Sequence, residues 1–329
     1  MSRYVMRLFA VALGVVSAAA ALPGCATNPA TGRTQWDVMS RAEEIELGEA
    51  AQGELVDGYG GRVRDESLQQ YMTRVGMSMV PHTEADYPSL PWEFTLLESD
   101  VINAFALPGG KVFMTRGLAE RLENEAQMAG VLGHEIGHVT AEHADKRVGN
   151  QLLISGIVIG AAVAAGQSDE DWVSAGVPLL VGAGGTAFAL KFGRNEELEA
   201  DALGMRYMSR AGYNPRGQLG VMQILAGASE GPRGPEFLST HPYPETRIDR
   251  IRKRLQDEYP EADSGRYAFY EERFESEFLA PLRRYQPTQP VGMRRGFERF
   301  GAGLAHASLM SGCAHCAMIA AGGEAGPVR

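Results

Sequence analysis

Gly133-His134-Glu135-Ile136-Gly137-His138 is an H-E-x-x-H run set in a stretch with helical periodicity. Met128, Val131, Leu132, Ile136 and Val139 recur around it at the spacing of one helix face. Histidines four apart project from the same face of an α-helix, so His134 and His138 can reach a single cation. A catalytic zinc takes three protein ligands and keeps a fourth position for water. Glu135 stands one residue past His134, where its carboxylate can approach that water and take its proton. Three fixed residues in five positions also arise by coincidence, so the assignment turns on whether the chain supplies a third ligand.

Downstream, Asn195 opens a second helical stretch, Glu196-Glu197-Leu198-Glu199-Ala200-Asp201-Ala202, which ends near Gly212 and Asn214-Pro215. Glu197 and Asp201 are four apart and share a face. A carboxylate here can complete a His/His/Glu site with an open position, and Asp201 can orient a ligand histidine from behind. Taken alone, the stretch also fits a solvated acidic helix start, where carboxylates favour the positive end of the dipole.

The flanks set the frame. The 329 residues are 44% hydrophobic and 22% charged, an ordinary globular balance with ample length for a core. A net charge of −10 with no Lys/Arg block argues against a nucleic-acid partner. Arg3 and Arg7 precede an apolar run from Leu8 to Leu22, too short and Ala-rich for a comfortable membrane span. It closes on Leu22-Pro23-Gly24-Cys25, which resembles a bacterial lipoprotein signal. That resemblance implies cleavage before Cys25, lipid on its sulfur and amino terminus, and, with Ala26 next, the outer membrane of a Gram-negative cell. Acyl chains contribute about 0.8 kcal/mol per buried methylene, so two or more hold a protein stably on a membrane. The main domain contains no cysteine, since only Cys313 and Cys316 follow.

Residues 1–24 therefore read as signal, 25–39 as lipid anchor and tether, 40–285 as the catalytic domain and 286–329 as a low-complexity, disordered tail. Within the domain, Ser40 and Glu43 form a capping box for a helix to about Leu55. A second helix runs from about Ser67 to Val80, stopped by Pro81. Trp92 to Leu97 reads as a strand, and Pro108-Gly109-Gly110 as the bend of a hairpin leading into Lys111–Thr115. Such a strand edge can pair with an extended peptide or be sheet without substrate contact. Asn124 caps the metal helix, which is expected to continue to about Gly149. Leu152 to Gly166 and Trp172 to Leu190 read as a buried or membrane-apposed helical hairpin, the first run falling short of the roughly 20 residues that span a bilayer. Ile248 to Tyr259 and Arg266 to Leu282 are expected as further helices.

His134-Glu135-x-x-His138, then Glu197-x-x-x-Asp201, with Asn103-Ala104-Phe105-Ala106-x-Pro-Gly-Gly upstream, resembles the gluzincin family of prenyl-protein proteases and HtpX-type heat-shock proteases. The likeness covers about Arg41 to Leu255 and is nearest to the periplasmic lipoprotein branch with its LoiP-like and BepA-like proteins. It implies an α+β, mostly helical metalloprotease domain with a small β-sheet and one Zn2+ per chain. His134, His138 and Glu197 would be the ligands, Asp201 the group behind them and Glu135 the base. Glu197, rather than Glu196 or Glu199, occupies the Glu of the family's E-x-x-x-D. In similar members a histidine and an arginine matching His241 and Arg247 face the metal, and two roles are open. They stabilise the oxyanion, or His241 closes the site as a fourth ligand. His143, five residues past His138, is expected to turn away from the metal face. BepA-like relatives continue into helical repeats, which this sequence does not show. Cys313-Ala314-His315-Cys316 lacks a complete spaced metal site and reads as a disulfide or an idle tail.

The expected function is a zinc-dependent endopeptidase of the cell envelope, held by its N-terminal lipid and acting on misfolded or unassembled envelope proteins. The alternatives are a lipoprotein chaperone with a latent metal site and a processing protease of narrow specificity.

Overall fold

The computed structural model describes residues 25–36, 38–147, 192–229, 234–242 and 244–287. The signal segment, the Leu152–Leu190 hairpin and the tail with Cys313 and Cys316 lie outside these residues. Among the described residues no helix is long and apolar enough to cross a membrane.

The architecture is mostly helical around a three-stranded sheet. Strands β1 (Cys25–Thr27) and β2 (Thr34–Trp36) pair antiparallel. The stretch expected as a tether is thus a hairpin docked on the domain. Asn28 is the reason: its buried amide donates to Tyr87 Oη (3.1 Å) and to the Thr140 carbonyl (3.0 Å), while its Oδ1 accepts the amides of Ala30 and Thr31. Helix α1 (Arg41–Gly58) opens on the expected Ser40/Glu43 capping box. Helix α2 (Glu66–Met79) is capped by Asp65 and buries Leu68, Tyr71, Met72, Val75 and Met79.

Strands β3 (Glu93–Leu97), β4 (Ala104–Leu107) and β5 (Lys111–Thr115) follow in spatial order β3-β5-β4, with β3 parallel and β4 antiparallel to β5. Gly109 and Gly110 take φ of +75° and +89° in the bend, a region open to glycine at little cost. Phe105 faces Phe113 across the ladder, rings stacked 4.9 Å apart, in a small core that includes Leu55 and Tyr59 of α1 and its C-cap. Strand β4 lies at one edge of this sheet and β3 at the other.

Helix α3 (Glu125–Thr140) carries the H-E-x-x-H run and is buried on every side. Asn124 caps it by accepting the Gln127 amide at 3.0 Å. Glu125, at its start, accepts hydrogen bonds from Tyr71, Tyr213 and Arg273, which fix its N-terminus in the core. Helices α4 (Arg194–Arg210), α5 (Arg216–Ser229) and α6 (Pro244–Asp257) complete the site. The last expected helix starts later than foreseen, at Glu271, with a π-helical turn at Glu275–Leu279.

The end of α3 differs from expectation. It stops at Thr140 rather than near Gly149, and Glu142 takes φ +54°. The Glu142 carboxylate is gripped by Asn28, Gln35, Arg41 and Tyr87, four partners distant in sequence. These contacts hold the chain in a turn there, before helical geometry resumes at residues 143–147.

Candidate metal centre

Helices α3 and α4 meet almost backbone to backbone. A Cβ on Gly137 would stand 2.8 Å from the Ala200 carbonyl oxygen, and one on Gly204 would stand 2.8 Å from the His134 nitrogen. Only residues without side chains permit that approach. The approach brings the His pair of α3 against the carboxylate pair of α4.

His134 and His138 aim their Nε2 atoms at one point, 3.0 Å apart, with the rings at 83° to one another. Glu197 reaches the same point, its oxygens 3.5 Å from His134 Nε2 and 3.6 Å from His138 Nε2. His241 follows a helical turn, Phe237–Thr240, and stacks on the Phe237 ring at 4.2 Å. Ligand atoms of His134, His138, Glu197 and His241 all lie within 4.8 Å of one another, and all four residues are buried. Glu135 is wholly buried beside them, with His241 Nε2 3.7 Å from its carboxylate.

Asp201 lies behind His134, its Oδ1 3.0 Å from Nδ1. Arg247 of α6 grips Asp201 through Nε (2.8 Å) and Nη2 (2.6 Å) and places Nη1 2.7 Å from Glu197. Gln218 of α5 adds a further hydrogen bond to Asp201, at 2.8 Å. Arg247 therefore faces the two carboxylates of α4.

The electrostatics follow from burial and these partners. Burial pushes Asp201 up, but Arg247 and His134 outweigh it and hold the carboxyl well below the usual range. Burial and Arg247 push His134 down, yet hydrogen bonds to Asp201 and Glu197 raise it to about 9. Burial drives His138 and His241 well below the ordinary histidine value and lifts Glu135 to about 7.

These residues fit a metal ion. His134 commits Nδ1–H to Asp201, which leaves the Nε2 lone pair facing inward. Thr240 Oγ1, which donates to the Phe237 carbonyl at 3.1 Å, lies 2.8 Å from His241 Nδ1 and can accept its proton. Among the described residues, both Glu135 oxygens and His241 Nε2 are buried without a hydrogen-bond partner, and the Glu197 oxygens, in ion-pair contact with Arg247, have no well-aligned hydrogen bond. Lone pairs converging at this density repel unless a cation lies between them. Imidazole nitrogens with one carboxylate are a donor set suited to zinc.

The geometry therefore brings together His134, Glu135, His138, Glu197, Asp201, His241 and Arg247, every residue singled out around the metal. It also places three groups that spacing did not identify. Gln218 comes from a helix with no motif, and Phe192 stacks on His138 at 3.8 Å. His143, expected to turn away, puts Nδ1 2.8 Å from His138 Nδ1 because α3 has ended before it.

Comparison with known proteins places this site in context. The sequence profile of peptidase family M48 matches residues 66–255. The chain is 31% identical over 251 residues to the beta-barrel assembly-enhancing protease of Escherichia coli (strain K12), covering 74% of this chain and 50% of that protein. It is 32% identical over 216 residues to the protein of that name from Yersinia pestis, covering 63% and 43%. Mitochondrial metalloendopeptidase OMA1 of Schizosaccharomyces pombe is 29% identical over 236 residues, covering 70% and 66%. The chain thus spans about half the length of the first of these relatives.

Proposed function

The chain belongs to peptidase family M48, and from that premise we propose that it is a zinc-dependent endopeptidase of the bacterial cell envelope, acting on misfolded or unassembled envelope proteins. The observation that carries this reading is the buried convergence of His134, His138 and Glu197 with the unpartnered carboxylate of Glu135 beside them. Zinc held by those three side chains would supply Lewis acidity, polarising a peptide carbonyl and acidifying water.

The chain's own residues supply the rest. Glu135 accepts a proton from the attacking water and returns it to the leaving amine. Its elevated proton affinity, from burial, suits a group that must hold a proton between two steps. Asp201 holds His134 in the tautomer that presents Nε2, and Arg247 fixes both Asp201 and Glu197. With its guanidinium directed to those two carboxylates, Arg247 serves as a positioning residue, and His241 can donate from Nε2 to a developing oxyanion in the tautomer whose Nδ1 accepts from Thr240 Oγ1. Edge strand β4 offers backbone groups with which an extended peptide can pair.

The envelope location and lipid anchor rest on Leu22-Pro23-Gly24-Cys25. Misfolded or unassembled proteins as substrates rest on the likeness to the assembly-enhancing protease, of which only half is matched. One observation favours a second reading, a latent site in a chaperone or binding module: His241 lies close enough to the other three ligands to complete a closed tetrahedron.

Casein degradation by zinc-supplied protein, run beside Glu135→Gln, tests the choice. Cleavage by the wild type alone supports the peptidase. Equal cleavage by both removes Glu135 as the base, and silence from both with zinc bound favours the latent site.

A further inference from the structure

We propose that His143 is a positioning residue for the metal centre, setting the tautomer and rotation of His138 through a hydrogen-bonded chain that ends on Glu199. The inference rests on the metal-site reading above and assigns a task to residues outside the H-E-x-x-H and E-x-x-x-D motifs.

Three observations carry it. His138 Nδ1 and His143 Nδ1 are 2.8 Å apart, so one of the two nitrogens holds a proton and the other accepts it. His143 Nε2 lies 3.2 Å from Glu199 Oε2. His143 itself is wholly buried, so water does not compete for either ring nitrogen.

Proton bookkeeping then leaves one arrangement compatible with ligation. A carboxylate only accepts, so His143 donates from Nε2 to Glu199 and its neutral ring carries a lone pair on Nδ1. That lone pair accepts Nδ1–H of His138, whose Nε2 is thereby left bare and directed at His134 Nε2 and Glu197. The reverse direction would put a proton on His138 Nε2, inside the ligand cluster, and forbid ligation. The arrangement matches what Asp201 does for His134, with a neutral imidazole interposed before the carboxylate.

Glu199 is itself fixed. Arg33 of the docked hairpin approaches it at 3.3 Å and Lys146 at 3.9 Å. The turn at Glu142 is what brings His143 within reach. Were α3 to continue, position 143 would stand 500° around the helix from position 138, roughly opposite it. The grip of Asn28, Gln35, Arg41 and Tyr87 on Glu142 therefore serves the ligand geometry at one remove.

The test compares wild type, His143→Ala, His143→Gln and Glu199→Gln for zinc affinity by chelator competition and for the visible spectrum of the cobalt-substituted protein. His143→Ala is expected to bind zinc about 10- to 100-fold more weakly, with altered cobalt bands. His143→Gln offers an amide oxygen to His138 Nδ1–H and is expected to recover most of the affinity. Glu199→Gln, at a partly exposed position, is expected to weaken zinc binding about threefold to tenfold. It keeps the measurement decisive if His143→Ala does not fold. Zinc affinity and cobalt spectrum unchanged in both His143→Ala and Glu199→Gln would overturn the positioning role while leaving the metal site standing. Failure of the wild type to bind zinc would overturn the metal reading and this inference together.

Discussion

Replacing Gly204 by alanine should loosen the metal centre, although Gly204 is no ligand and its helix alone would gain from the change. In a helix interior alanine is favoured over glycine by about 0.8–1 kcal/mol. Against that gain, the new Cβ would stand 2.8 Å from both Gly133 C and His134 N and 3.1 Å from Gly133 O. These are backbone atoms of α3 and cannot rotate aside, so the helices must part by roughly 0.6 Å to restore van der Waals contact. Overpacking of this kind costs about 1–3 kcal/mol, which leaves a net destabilisation on the order of 1 kcal/mol. The functional loss is larger, because Glu197 rides α4 two turns away while both histidines ride α3. Metal–ligand distances tolerate about 0.2 Å, so zinc affinity should fall roughly 10- to 100-fold and turnover on the order of 100-fold. The assay is chelator competition for zinc together with thermal melting of the zinc-free protein. Gly227→Ala is the control, since nothing lies within 4 Å of its would-be Cβ. It should melt slightly higher with zinc binding unchanged. A Gly204→Ala protein that behaves like this control would refute the argument, for the helices would then have slack and their approach would not set the ligand geometry.

Arg247→Met removes one partner from a buried ion-pair cluster and should cost about 3–5 kcal/mol in urea unfolding of the zinc-free protein. The loss should be smaller with zinc bound, because the dication compensates the buried carboxylates left without Arg247, and equal losses in both forms would count against that compensation. Chelation of zinc from the wild type should lower its melting temperature by on the order of 10 °C if zinc is present at about 1,000 times its dissociation constant. A melting point indifferent to chelator would speak against a folded-state metal site. Glu44 gives the pH dependence: burial, opposed by Arg41, raises it from 4.5 to about 7. A carboxyl raised on folding contributes its full stability below about pH 4.5 and loses it as pH rises towards 7, by on the order of 1–3 kcal/mol. The stability difference between wild type and Glu44→Gln, measured by urea unfolding, should drift in the variant's favour across that window and level off above it. A difference independent of pH would show that Glu44 ionises normally.

The parts of this site that were legible in the sequence are those whose geometry is local. His134, Glu135 and His138 share one helix, as do Glu197 and Asp201, and periodicity places such residues on a face without knowledge of the fold. The Ser40/Glu43 box and the Asn124 cap were equally local and stand where spacing put them. What escaped depends on contacts distant along the chain. Nothing in Thr140-Ala141-Glu142 resembles a helix stop, since it contains no glycine, proline or asparagine. The helix breaks where side chains from positions 28, 35, 41 and 87 hold Glu142. That break decides where His143 points. Residues 25–39 read as a tether, and nothing local in them foretells the amide of Asn28 bonding to the Thr140 carbonyl, which docks the hairpin.

Charge balance at the centre shows the same division. The sequence supplies Glu135, Glu197 and Asp201 as candidate functional carboxylates without revealing that all three are buried within reach of one another. The structure sets a single guanidinium, Arg247, in direct contact with two of them. Burying isolated carboxylates is costly enough that such groups are paired or bind metals. One Arg247 against three carboxylates leaves two negative charges, and a divalent cation cancels both. When the cation is removed, protons must take its place, and three groups have raised proton affinity: His134 at about 9, its neighbour Glu135 at about 7, and Glu197, lifted by burial. The same carboxylates that make His134 basic are those that make the site attractive to a metal. Proton and zinc therefore compete for one charge deficit, and Arg247, by covering part of it, opposes the burial that raises the proton affinity of Glu197.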